Sequence, residues 1–411
     1  MTFIASPLLG FALADSGATA GLLLQMFILF TSAKLLAEVA DRLRQPPVVG
    51  ELAAGILIGP SVLGWVAPGD LLSVLAELGV MFLLFHVGLE LRDFQLTKVG
   101  LDALIVAVMG VVVPFFCGLG IMLAVGNPHI EAIFVGAALV ATSIGITARV
   151  LASYGLLQER ASKIILAAAI IDDVLGLLVL AVVSALAKGK VNLVELGLTT
   201  VLAVGFTVIV AAWGTRTMTR IVPQMERRIQ TGEAQFTLSI VLLFGLSLLA
   251  IHAGVAAIIG AFLAGMALAN SIDDRAAQMV NGVSELLVPF FLAGIGLHLD
   301  LTVFGRSQTL ILGLAILLVA CASKFIGCGL GALRLGWRDA ARVGTGMIPR
   351  GEVGMVVAQI GLGFHVISKD VYAIVVFMAI GSTVLAPPLL KLSYRSLLRP
   401  ATVGPDFPRV G

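Results

Sequence analysis

Seven side chains have types and spacing that could do chemistry together. Asp172 and Asp173 are adjacent acids within an otherwise apolar run. Lys324 stands alone in a second apolar run, and Arg350 and Glu352 share a third. Thr142 and Ser143 bring hydroxyls into a fourth, ATSIGITARV, beside Gly145 and Thr147. Carboxylates and hydroxyls are hard oxygen donors that suit a small hard cation. A carboxylate takes either a cation or a proton, so one site of this kind couples the two without a cofactor. Adjacent acids on a helix point about 100° apart. One can therefore pair with a cation from a neighbouring helix while the other faces a wet cavity, and Lys324 is the evident partner. Arg350 and Glu352 are two apart and do not face each other on a regular helix, so each pairs elsewhere or braces the site.

The elements that position these groups are membrane helices. The chain has 411 residues, 59% of them hydrophobic and 12% charged, with a mean hydropathy of +1.09. Soluble domains carry about 25% charged residues, so a soluble enzyme of this size is excluded. A span needs roughly 20 apolar residues. The pattern predicts thirteen, at about 18–41, 47–66, 70–91, 101–125, 130–153, 161–187, 192–213, 233–250, 252–270, 280–299, 308–334, 340–364 and 370–398. The first seventeen residues lack a basic start and do not read as a cleaved signal. The polar stretch 214–233 reads as a loop and the tail after Arg399 as short, so no soluble domain is expected.

Lys and Arg orient the chain. With the N-terminus outside and the C-terminus inside, 19 of the 26 fall on the inner side and four on the outer. The acid pair, Lys324, Arg350 and Glu352 then all sit near the middles of their helices. A charge at the bilayer centre costs about 2.5–3.5 kcal/mol on insertion scales, so three helices carrying charge at one depth mark a site. Two predicted helices are interrupted at that depth, one by the Thr142–Gly145 segment and one by Pro349 and Gly351. Interior proline removes a helical hydrogen bond, and bare backbone at membrane depth survives only against protein or water. The two breaks lie seven spans apart and so run in opposite senses. That is the pattern of an inverted repeat with its site where the breaks meet, and Arg350 could there offset like dipole ends.

The remaining features are plainer. The net charge of +2 argues against a nucleic-acid partner. Cys117, Cys321 and Cys328 lie in apolar stretches and read as small buried residues. Glu51 reads as a first-turn acid favoured by the helix dipole and Lys34 as a snorkelling side chain. Glu77 and Glu285 read as interfacial or packing residues. The histidines lack metal-ligand spacing. No Gly-rich nucleotide motif suggests a primary pump.

Four segments are familiar together: QPPVVGELAAGILIGPSVLG at 45–64, ATSIGIT at 141–147, IIDDVLG at 170–176 and PRGEVGMV at 349–356. In order and spacing they resemble the monovalent cation:proton antiporter-2 family over nearly the whole chain. The resemblance is nearest to bacterial sodium/proton antiporters with paired aspartates. It is weaker to the potassium-efflux branch, which usually lacks one of the two.

The resemblance implies an all-α polytopic fold of thirteen helices with two crossing broken ones. Residues 1–100 and 216–305 would form a dimerisation domain and 101–190 and 306–411 a core, with 191–215 linking them. Asp173 would bind the cation and carry a proton, and Asp172 would pair with Lys324 in the proton-loaded state. Thr142 and Ser143 would line the site, with Arg350 and Glu352 in support. The expected activity is exchange of Na⁺, or Li⁺, for H⁺ by a homodimer in the inner membrane. K⁺/H⁺ exchange is the near alternative, and a passive cation channel is a more distant one. An intramembrane aspartyl protease is excluded, because adjacent acids cannot meet across a scissile bond.

Overall fold

The computed structural model describes residues 18–43, 45–91, 96–188, 193–226, 234–299 and 306–397. These residues contain fifteen α-helices and one short 3₁₀ turn joined by turns and non-helical backbone, and none of them is in a strand. In chain order the helices are α1 (Ala18–Arg42), α2 (Pro47–Ile58), α3 (Asp70–Glu90), α4 (Leu96–Ala124), α5 (His129–Ala138), α6 (Ile144–Ser153), α7 (Arg160–Lys188) and α8 (Leu193–Glu226). They continue as α9 (Ala234–His252), α10 (Ala257–Leu268), α11 (Asp274–Leu297), α12 (Ser307–Gly331), α13 (Trp337–Gly346), α14 (Glu352–Gly363) and α15 (Lys369–Ser393).

Each predicted span coincides with one helix or with a broken pair, but seven helices among the described residues are long and apolar enough to cross a membrane. Two spans are the broken pairs α5/α6 and α13/α14. Two more, α2 and α10, are helical for only 12 residues, about 18 Å at 1.5 Å per residue. The apolar run 47–66 continues past the helix, because Gly59 and Pro60 end it. An apolar tally cannot separate helix from the non-helical apolar backbone that follows it.

The loop expected at 214–233 is also corrected. α8 runs on through Glu226, past Gly214 and Pro223, because Arg216, Met218 and Arg220 are compatible with a helix and polarity alone does not end one. Residues 227–233 lie outside the described residues, as do the first seventeen and the tail beyond Leu397. Of the cysteines only Cys328 is buried; Cys321 is partly exposed and Cys117 exposed. An apolar helix in this fold has a lipid side as well as a protein side.

The helices pack as two groups. In one, α3 lies between α10 and α11, while α2 packs on α1 and α11. Its centre is α10, where every residue from Ile259 to Leu268 is buried. Small residues set the spacing there: a Cβ on Gly265 would lie 2.1 Å from the Phe85 carbonyl oxygen, and one on Gly88 2.4 Å from that of Phe262. Close backbone approach of this kind is how helices associate without a hydrophobic driving force. In the other group α4 packs on α12, and α7 touches all four half-helices. α8 contacts both groups. The outward rows are apolar, with Phe27, Val241 and Leu318 each more than 60% exposed, as suits a lipid solvent.

Candidate functional site

The two breaks meet. α5 stops at Ala138 and α6 starts at Ile144, leaving Leu139–Ser143 between them; α13 stops at Gly346 and α14 starts at Glu352, leaving Met347–Gly351. The Ser143 N–H donates to the Pro349 carbonyl at 2.8 Å, one break bonding the other. Thr147 Oγ1 donates to the Gly346 carbonyl at 2.7 Å, tying α6 to the end of α13. At the crossing a Cβ on Gly351 would lie 2.8 Å from Ser143 Oγ, so only glycine allows this approach.

Broken helices leave carbonyls without partners and a partial negative charge at each C-terminal end. Two cations answer the carbonyls of the break that follows α5. Lys324 on α12 is fully buried, and its Nζ donates to the Val140 carbonyl at 2.6 Å and the Gly110 carbonyl at 2.8 Å. Arg350 is also fully buried. Its Nη1 donates to the Ala141 and Val140 carbonyls at 3.1 and 3.3 Å, and its Nη2 to the Ala320 carbonyl at 3.1 Å. The Arg350 backbone is fixed as well: its N–H donates to Ser382 Oγ, and its carbonyl accepts from Thr383 Oγ1 at 2.7 Å.

Asp172 meets the same ammonium. Lys324 Nζ lies 2.9 Å from Asp172 Oδ1 and 3.1 Å from Oδ2, and neither side chain is exposed. Lys324 thus joins α4, the break after α5, α7 and α12 at one atom. Asp173, next on α7, is 4% exposed, Thr142 4% and Ser143 5%. Thr142 Oγ1 has no hydrogen-bond partner among the described residues, a buried hydroxyl free to serve as a ligand. Glu352 opens α14, but its side chain lies outside the described residues. Arg350 is in the break rather than on a helix, so helical spacing between it and Glu352 does not apply.

The structure adds groups that spacing could not reveal. The carbonyls of Gly110, Val140 and Ala320 come from backbone, and Ser382 and Thr383 look like ordinary helix hydroxyls in sequence. Gly110 has a packing signal, since a Cβ there would lie 2.6 Å from Cys328 Sγ and 3.3 Å from Lys324 Nζ.

A family model described as "Sodium/hydrogen exchanger, transmembrane" matches residues 27–392. The chain belongs to the sodium/hydrogen exchanger family. Members are transmembrane ion antiporters rather than enzymes, and the protein is an integral membrane protein. It is 35% identical to the high-affinity Na⁺/H⁺ antiporter NhaS3 of Synechocystis sp., over 90% of this chain and 89% of that one. It is 32% identical to the Na⁺/H⁺-K⁺ antiporter GerN of Bacillus cereus, over 90% and 95%. Its fold is similar to that of the sodium proton antiporter MjNhaP1 of Methanocaldococcus jannaschii, with a TM-score of 0.64 at 18% identity over 92% of this chain and 98% of that one.

Proposed function

We propose that the protein exchanges Na⁺, with Li⁺ as a second substrate, for H⁺ across the inner membrane, and that Asp173 is the shared ligand. The observation that carries this is the division of labour on α7. Asp172 is held by a fully buried Lys324, and Asp173 is the neighbouring buried carboxylate on a helix that packs on both broken helices. Thr142 and Ser143, at the crossing, supply further oxygens. Arg350 balances the carbonyls of the break after α5, and Glu352 is the remaining acid of its own segment. No cofactor is needed, because cation and proton compete for one carboxylate.

In this reading α4–α7 and α12–α15 form a core that moves against a dimerisation domain of α1–α3 and α9–α11, with α8 as the link. The protein is a homodimer of thirteen-span protomers, N-terminus outside and C-terminus inside. GerN's description names potassium as well, which favours K⁺/H⁺ exchange as the second reading. Proteoliposome flux with Na⁺, Li⁺ and K⁺ in turn decides between them. Proton release driven by Na⁺ or Li⁺ supports the first reading. Release by K⁺ alone replaces it with the second, and release by no cation overturns both.

A further inference from the structure

A second set of charges lies where the two helix groups touch. Arg149 on α6 grips Glu285 on α11 with two parallel bonds, Nη1 to Oε1 at 2.5 Å and Nη2 to Oε2 at 3.0 Å. Lys34 on α1 lies 3.8 Å from Glu285 Oε2 and 3.6 Å from Glu51 Oε1 on α2. Glu51 is 1% exposed, and its Oε2 has no hydrogen-bond partner among the described residues. Arg149 and Glu51 are within electrostatic reach of each other. The sequence readings of these residues are therefore corrected. Glu51 is the fifth residue of α2, past its first turn. Glu285 is mid-helix in α11, and Lys34 is an ion-pair partner.

Arg149 is the only one of the four contributed by the group that holds the crossing. It is six residues along from Ser143 on the half-helix anchored by Thr147, so a shift of Arg149 is a shift of the site's Ser143 end. It holds one carboxylate by two bonds, and a second, within electrostatic reach, keeps a buried oxygen without a hydrogen-bond partner among the described residues. Lys34 stands between the two acids and can hold whichever one Arg149 leaves. Either pairing would leave each of the two cations beside a carboxylate, which is what a two-position element requires.

We propose that Arg149 is a positioning residue that exchanges carboxylates, Glu285 in this arrangement and Glu51 in the opposite one, as the core moves. The inference rests on the alternating-access reading above. Glu285→Gln removes the partner held here and biases the protein toward the opposite arrangement. Glu51→Gln removes the other partner and biases it toward this one.

The test is hydrogen–deuterium exchange of the full chain in nanodiscs, following the backbone of 144–158, with Na⁺-driven proton flux measured in parallel. The two variants are expected to move deuterium uptake in opposite directions from the unsubstituted protein. Each should also lower maximal flux about tenfold, as a bias of ~1.4 kcal/mol on a two-state equilibrium would do. Uptake that rises in both variants, as loosening of a merely structural pair would give, overturns the exchange, and so does uptake unchanged in either one. If the unsubstituted protein shows no Na⁺-driven flux, the antiport reading fails, while the uptake comparison still decides whether Arg149 has two partners.

Discussion

Asp173→Asn keeps the shape of the α7 side chain but removes the charge that binds a cation and the acidity that carries a proton. Exchange is expected to fall to background while the protein inserts and unfolds like the original; Na⁺-driven proton flux near the original rate would refute the assignment. Lys324 gives a different signature. Lys324→Met leaves Asp172 buried without its counter-ion and strips the Gly110 and Val140 carbonyls of a donor. Breaking one side of a buried pair typically costs about 3–5 kcal/mol. Thermal unfolding in detergent should show a large drop in midpoint, part of it recovered when Asp172→Asn is added. No recovery in the double variant would mean that Lys324 acts mainly through the two carbonyls. The seven chemical residues were visible in sequence because charge and hydroxyl groups are rare in such an apolar chain. Their partners were not, because most are backbone carbonyls and carry no residue signature. The Arg149–Glu285 pair was missed for another reason: Glu285 was read as an interfacial or packing residue and Arg149 only as one of the inner-side positive charges, and neither reading shows which neighbour faces it.

At the scale of elements, the crossing depends on Gly351. Replacing it with alanine would set a Cβ 2.8 Å from both Ser143 Cβ and Ser143 Oγ, forcing the breaks apart by several tenths of an ångström. The Ser143-to-Pro349 bond spans the same gap. Gly351→Ala is expected to weaken apparent cation affinity at least tenfold with a smaller loss of thermal stability, and Ser143→Gly on top of it should restore part of the affinity. A cation titration of proton release measures both. The positions of the two breaks were readable from Pro349, Gly351 and the Thr142–Gly145 cluster. The true lengths of α2 and α10 were not, because hydropathy is blind to whether apolar residues lie in a helix or in the backbone beyond its end. The reach of α8 past residue 214 escaped for the converse reason: polarity was taken to mean loop, but a helix turns polar wherever it leaves the apolar layer.

At the scale of the molecule, two helix groups meet through few elements, α6 and α15 on one side and α2, α3 and, through the Arg149–Glu285 pair, α11 on the other. Covalently joining the groups at that boundary should therefore stop transport without unfolding either one; flux that survives complete cross-linking would argue against a moving core. The charge carried per cycle follows from the same site. Asp173 can release one proton when a cation binds. If the cation also recruits Asp172, Lys324 is left as an unpaired ammonium in a fully buried position. An isolated charge there is costly, and giving up a proton removes that cost. One cation then displaces two protons, and the net charge moved couples the cycle to membrane voltage at about 2.3 kcal/mol per charge per 100 mV. With the potential of proteoliposomes set by K⁺ and valinomycin, the exchange rate should rise with voltage of one sign and fall with the other. Lys324→Gln, where it still transports with Asp172 ionised in both states, should lose that dependence, since only Asp173 then carries protons. A rate indifferent to voltage in the original protein would rule out the two-proton scheme. Voltage dependence that persists in Lys324→Gln would leave the scheme's stoichiometry but take Lys324 out of it.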